Sequence, residues 1–299
     1  MYNIFEQVSM SCLEQDPTIF LGVSYAYDSA QVSLPGIQLQ KLTTSAQKVL
    51  HGTTTTLGAI REFLSRLIYA SRILRIPLAL YFAVFKFARR RFSVLASAPN
   101  STSTTVWPSV IREWNEWLQL VQKNKPVTHP LSQKNPTFIL FTDASLHGAG
   151  ALLFNVEQGW VKEFSTKWHE TFCSNSINEL EATAVFLAAS HFRDDLSGAA
   201  AILLVVDNTS CQYALKKGSS SSFLLNKEVK NALGSLPAGS DIRIAYIQSK
   251  ANPADGPSRG INFSLGELSS ACGLVAEDWP KQSSLRVSVA SGRCLKSTR

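Results

Sequence analysis

Apolar positions follow two rhythms along this chain. Before residue 137 they recur mainly at intervals of three and four. After it they gather into short unbroken runs closed by small or acidic residues. The first rhythm predicts helices and the second predicts strands. The segment TIFLGVSYAYDSAQVSL (18–34) reads as a strand from Ile19 to Tyr25, a turn at Asp28 and Ser29, and a return from Val32 to Leu34. Pro35-Gly36 closes that unit. A helix is expected from Leu39 to about Leu50, interrupted by HGTTTT at 51–56. Leu57, Ile60, Leu64, Leu67, Ile68 and Ser71 then share one face of a longer helix. Pro77 should start or kink another, running to about Phe92. Residues 97–109, SAPNSTSTTVWPS, are small, polar and proline-bearing, and read as a linker. In IREWNEWLQLV, Trp114, Trp117, Leu118 and Val121 form one stripe, expected as packing anchors.

From 137 onward the strand texture dominates. FILFTD, AGALLF and GWVKEF predict an antiparallel meander. INELEATAVFLAASHF (177–192) is helical, and AAAILLVVD (199–207) is a buried strand. Helices follow in NTSCQYALKKG, stopped by Gly218, and in SSSSFLLNKEVKNAL. DIRIAYIQSK is a last strand before ANPADGPSRG. Strands, helix, strand, helices and strand over about 120 residues describe an α/β unit of one domain.

Composition narrows the class. With 299 residues, 45% hydrophobic and 17% charged, the chain can bury cores. Its five cysteines (Cys12, Cys173, Cys211, Cys272, Cys294) are odd in number and widely spaced. They argue against a disulfide framework or a cysteine zinc site and suggest a reducing, intracellular compartment, cytoplasm or nucleus. The longest apolar run, IPLALYFAVF (76–85), falls short of the roughly 20 residues a membrane span needs. The net charge of +7 lies entirely in residues 1–136, with 14 Lys or Arg against 7 Asp or Glu; the remainder holds 15 of each. Residues 59–91 carry Arg61, Arg66, Arg72, Arg75, Lys86, Arg89, Arg90 and Arg91 against Glu62 alone. Such a stretch suits a polyanion, either nucleic acid or an anionic membrane, and equally a solvated helix face. No clean apolar face stands opposite the arginines, which speaks against the membrane.

Candidate chemistry lies in the second half. Asp143 and Asp207 each end an apolar strand, Glu179 and Glu181 lie on the helix between them, and Asp255 follows the last strand. Strand ends of an α/β sheet can meet at one edge. Clustered carboxylates stay ionised together only if cations neutralise them, and hard oxygen ligands favour Mg²⁺ or Mn²⁺.

In this order the segments FTDASLHGAGALLF, INELEATAV, VVDNTSCQYALKKG and IQSKANPADGPSRG resemble a retroelement ribonuclease H domain, the last as its N-x-A-D-x-x-S-R closing motif. The resemblance implies a ribonuclease H-like mixed sheet with flanking helices. It implies Asp143, Glu181, Asp207 and Asp255 as ligands of two Mg²⁺ or Mn²⁺ ions, and hydrolysis of RNA in RNA–DNA hybrids. Asn178, three residues ahead of Glu181, favours that glutamate over Glu179. Asn208 and Ser258 either support the site or serve as a helix cap and a loop residue. Lys216 and Lys217 either touch phosphate or sit as ordinary cations at a helix C-terminus. The stretch AYIQSKANPA lacks the histidine that cellular members often carry, and His147, His169 and His191 receive no role.

Earlier, FLGVSYAYDSAQVSLPGIQLQKL resembles the end of a reverse transcriptase palm, and REFLSRLIYASRILRIPLALYFAVFKFARRR resembles the thumb or connection helices after it. WNEWLQL resembles the helix leading into ribonuclease H. The arrangement most resembles DIRS-like, tyrosine-recombinase retrotransposons, with gypsy-like elements and pararetroviruses next. It implies a palm-end and thumb/connection part at 1–98, a linker with a Trp-containing helix at 99–136, a ribonuclease H-like domain at 137–260 and a tail at 261–299. That tail is expected to hold a partial helix and a loose basic end. A polymerase also needs paired aspartates, usually in an [FY]-x-D-D turn; the one Asp pair, Asp194-Asp195, lies in the wrong place. The expectation is a piece of a larger polyprotein or a truncated element, partnered by nucleic acid and by the missing polymerase part.

Overall fold

The structure is a computed structural model that describes residues 17–128, 135–170, 176–237 and 239–276. The chain divides into two compact units, residues 1–132 and 133–299. No helix among the described residues is long and apolar enough to cross a membrane. Cys12, Cys173 and Cys294 lie outside the described residues, whereas Cys211 and Cys272 are free and buried.

In the first unit, β1 (Thr18–Phe20), β2 (Val23–Ala26) and β3 (Gln31–Ser33) lead to α1 (Gly36–Leu50). Then come β4 (Thr54–Thr56), α2 (Leu57–Ile73), a 3₁₀ turn at Leu78–Tyr81, α3 (Phe82–Val94), β5 (Ser103–Thr105), α4 (Pro108–Gln122) and β6 (Val127–Thr128). The strand expected over Ile19–Tyr25 is broken. Leu21 (φ 49°) and Gly22 (φ 76°) form a tight turn between β1 and β2. The left-handed φ at Gly22 suits glycine, and a side chain there would also have to displace the Gln38 amide, 2.7 Å from the Cβ position. The segment expected as a linker at 97–109 is built into the unit. β5 pairs antiparallel with β4, placing Thr104 opposite Thr55, both buried. A threonine run reads as loop in isolation, yet its branched side chains suit a half-buried ladder once a partner arrives.

The helix that follows belongs to the same core rather than to a connector. Trp114 and Trp117 are fully buried with Ile60, Phe63, Leu67, Val84 and Phe87. Trp117 stacks on Tyr81 at 4.3 Å and donates from Nε1 to the Ser71 hydroxyl at 2.5 Å. The anchor role expected for the tryptophans therefore fits, but the unit they anchor extends past residue 98.

In the second unit, β7 (Phe138–Ala144), β8 (Gly148–Asn155) and β9 (Val161–Lys167) form the expected meander. After α5 (Ile177–His191) and the short α6 (Arg193–Leu196), β10 (Ala201–Val206) returns parallel to β7. Then α7 (Thr209–Lys217) and α8 (Phe223–Ser235) precede β11 (Asp241–Tyr246), parallel to β10. The sheet order is β11-β10-β7-β8-β9, a mixed sheet with β7 in the middle. The chain continues through a 3₁₀ turn (Ser249–Ala251), α9 (Asp255–Ser258) and α10 (Leu265–Ala276). Alternate residues of β7 point to opposite faces. Ile139 and Phe141 pack with Leu152, Leu203 and Val205 against Leu268, Ala271, Cys272 and Val275 of α10. The partial helix expected after 261 is α10, and it packs into the core of this unit. The basic end expected beyond it lies outside the described residues.

Candidate active site

Three carboxylates meet at one end of this sheet. Asp143 is the second-to-last residue of β7, Glu181 lies in the second turn of α5, and Asp207 is the residue after β10. Each offers an oxygen within 4.8 Å of the others. The parallel pairing of β10 with β7 sets the two aspartates side by side, because both strands run to the same edge. Asp143 and Glu181 are each 4% exposed, and Asp207 is half-buried.

Burial and mutual repulsion make ionisation hard. Burial, then the charges of Asp207 and Asp143, push the Glu181 carboxyl up to about 9. Burial lifts Asp143 to about 7, partly offset by the Ser258 hydroxyl and reinforced by Asp207 and Asp255. Glu181 accepts from the Ala144 backbone N–H, yet its Oε2 is buried with no hydrogen-bond partner among the described residues. A buried acceptor left empty is costly unless a cation or donor reaches it. The donor set, three hard carboxylates without a thiolate or imidazole, suits Mg²⁺ or Mn²⁺.

Glu179, the alternative glutamate, is occupied elsewhere. Its carboxylate accepts the Ser176 backbone N–H at 3.0 Å in a capping box that starts α5. Asn208 caps α7 by accepting the Cys211 N–H and also donates to Asn178 Oδ1, both at 2.9 Å. It therefore ties the loop bearing Asp207 to the helix bearing Glu181.

The closing motif acts as a clasp. Asn252 donates to the Thr142 carbonyl at 3.0 Å. Ala254 is fully buried, and Ser258 is 1% exposed. The Ser258 hydroxyl lies between the Asp143 carboxylate and the Asp255 carbonyl, 2.9 Å from the latter. Ser145 and Ser165 donate to the carbonyls of Ser258 (2.8 Å) and Pro257 (2.6 Å). Gly150, opposite Asp143 in the ladder, makes room: a Cβ there would lie 2.2 Å from Ser258 N.

Asp255 stands outside the group of three. Arg259 holds it with Nε at 3.1 and 3.2 Å from its two oxygens and Nη2 at 2.8 Å from Oδ1. Sequence reasoning passed over Arg259; its signal was the four-residue spacing from Asp255, which puts the pair on one side of a helical turn. His147 and His169 are exposed, and His191 packs on Phe164 at 4.9 Å. None of the three joins the carboxylate group.

The basic candidates are dispersed over both units. Arg61 lies over Phe92 and bonds Asn100, Arg90 lies over Trp107, and Arg91 lies over Phe87. Arg66 pairs with Glu62 at 3.1 Å; Arg72 and Arg89 are exposed. Lys216 and Lys217 are exposed on the last turn of α7, with Lys217 over the Tyr213 ring.

Residues 133–229 match the model of the RNase H-like domain found in reverse transcriptase. A comparison with curated proteins gives no match. Among solved structures, the N-terminal RNase H domain of a Mycobacterium tuberculosis protein overlaps with 12% identity and a TM-score of 0.34, covering 42% of this chain and 97% of that one. RNase H1 from Halobacterium salinarum gives 15%, 0.30, 40% and 89% in the same terms. The foamy viral protease-reverse transcriptase dRH in complex with double-stranded DNA gives 14% and 0.29, covering 77% of this chain but 37% of that one. The second unit has the RNase H-like fold, a mixed sheet with flanking helices, of the kind found in reverse transcriptases.

Proposed function

We propose that this chain hydrolyses the RNA strand of RNA–DNA hybrids, with two Mg²⁺ or Mn²⁺ ions held by Asp143, Glu181, Asp207 and Asp255. The reading is carried by the buried Glu181 Oε2, an acceptor without a donor among the described residues, inside a three-carboxylate group at a sheet edge. Such ions, when bound, supply positive charge to an attacking water and to a leaving 3′ oxygen. The chain's own residues fix the ligands: the Ala144 N–H and Ser258 orient Glu181 and Asp143, and Asn208 joins the segments carrying Glu181 and Asp207. RNA is chosen by 2′-hydroxyls and duplex shape rather than by base edges. Arg61, Arg66, Arg72, Arg89, Arg90, Arg91, Lys216 and Lys217 contact phosphate.

In this reading residues 1–98 are the palm end and the thumb or connection part of a reverse transcriptase of the DIRS-like group, working inside the cell with a polymerase part that brings its own aspartate pair. A second reading, a binding remnant without catalysis, is favoured by the engagement of both Asp255 oxygens with Arg259. Cleavage of an end-labelled RNA annealed to DNA, in Mg²⁺ and in Mn²⁺, separates the two. Hydrolysis by the wild type and none by Asp143→Asn/Asp207→Asn supports the enzyme. A folded wild type that leaves the RNA intact in both metals supports the remnant.

A further inference from the structure

We infer that Arg259 is a positioning residue: in the free protein it holds Asp255 out of the carboxylate group, and Asp255 joins the group only by giving up Arg259 for a divalent cation. This rests on the metal reading above.

Three observations lead there. Both oxygens of Asp255 are engaged by one guanidinium through three hydrogen bonds. A fork of this kind leaves the carboxylate little capacity for a second cation. The backbone beneath the pair is fixed: Ser145 and Ser165 hold the carbonyls of Ser258 and Pro257, and Gly150 admits no closer approach. Any approach of Asp255 to the group therefore comes from turning its side chain, not from moving its helix. Asp143 also feels the charges of both Asp255 and Arg259. The pair is close enough to bias the group yet is not part of it.

The ion pair is half-exposed on both sides, so its hold is weak. Exposed pairs of this kind correspond to a roughly two- to five-fold change in an equilibrium constant. That is enough to delay a cation that needs Asp255 and too little to exclude it. Once released, the guanidinium is free at the rim of the site, where a phosphate backbone is its natural acceptor.

The test is calorimetric titration of the full chain with Mn²⁺, comparing wild type, Arg259→Gln, Asp255→Asn and the double variant. Removing Arg259 should tighten the weaker Mn²⁺ event by about two- to five-fold, and Arg259→Lys should tighten it less. Asp255→Asn should abolish that event, and the double variant should show no gain over Asp255→Asn alone. A structural role for Arg259 would weaken binding instead. Unchanged or weaker Mn²⁺ binding in Arg259→Gln overturns the inference, as does an equal gain in the Asp255→Asn background. Absence of Mn²⁺ binding in every variant overturns the metal reading, and this inference with it.

Discussion

Replacing Glu181 with Gln should cost the site its chemistry and make the metal-free protein more stable at alkaline pH. In the fold, this carboxyl is lifted from its ordinary 4.5 to about 9 by burial and by its two aspartate neighbours. Below about pH 4.5 the acid is protonated whether the chain is folded or unfolded, and it exacts no penalty. Between the two values the folded state keeps a proton that the unfolded state releases. Stability therefore falls as pH rises across that window, by about 1.4 kcal/mol per pH unit for one proton. From pH 7 to 8.5 that amounts to about 2 kcal/mol, or roughly 4–8 °C in the melting temperature of a domain this size. Glutamine keeps the shape, cannot ionise and should remove this component. Scanning calorimetry of the full chain in EDTA at both pH values gives the comparison. A Glu181→Gln transition that drops in parallel with the wild type would refute the argument that this buried acid governs the slope. Adding Mg²⁺ should rescue the wild type most at the higher pH, because the ion binds the deprotonated form.

Gly150→Ala should destabilise the second unit by about 1–3 kcal/mol or more and remove hydrolysis, since the new Cβ meets backbone atoms of Pro257 and Ser258 that cannot move aside; urea unfolding and the cleavage assay read the two effects. Trp117→Ala should cost the first unit about 3–5 kcal/mol, measured by circular dichroism in urea, and no change would return residues 99–122 to the status of a linker. Replacing Arg61, Arg89 and Arg90 together with Gln should flatten the salt dependence of hybrid binding by up to about three charges' worth of slope, read by fluorescence anisotropy from 50 to 200 mM salt; an unchanged slope would leave Arg61 and Arg90 to their aromatic contacts and Arg89 to the Phe85 carbonyl.

The site was legible where its signals were local. An apolar run that stops at Asp143 or Asp207 places a carboxylate at a strand end without knowledge of the partner strand. Asn178 and Glu181, one helical turn apart, share a helix face for the same reason. What escaped was non-local or too short to have a period. Thr54–Thr56 becomes a strand only because Ser103–Thr105 pairs with it. The break at Leu21 and Gly22 places an apolar residue at a tip, where its hydrophobicity argues for the opposite. Arg259 acts on a helix of one turn, where charge spacing is the sole clue. A helix was expected after 261, but its packing in the core, through Leu268, Ala271, Cys272 and Val275, depends on sheet residues far away in the chain.

The clasp between Gly150 and Ser258 also sets an order of events. It joins the second strand of the sheet to a segment more than a hundred residues later, and Ser145 closes the same long loop. Contacts so distant in sequence form slowly, after much of the loop-closure entropy has been overcome. A ribosome making this chain would expose Asp143, Glu181 and Asp207 well before the residues that brace Asp143. A nascent or prematurely ended chain would carry the acids without their brace, so the carboxylate group would be finished only as synthesis of the domain nears its end.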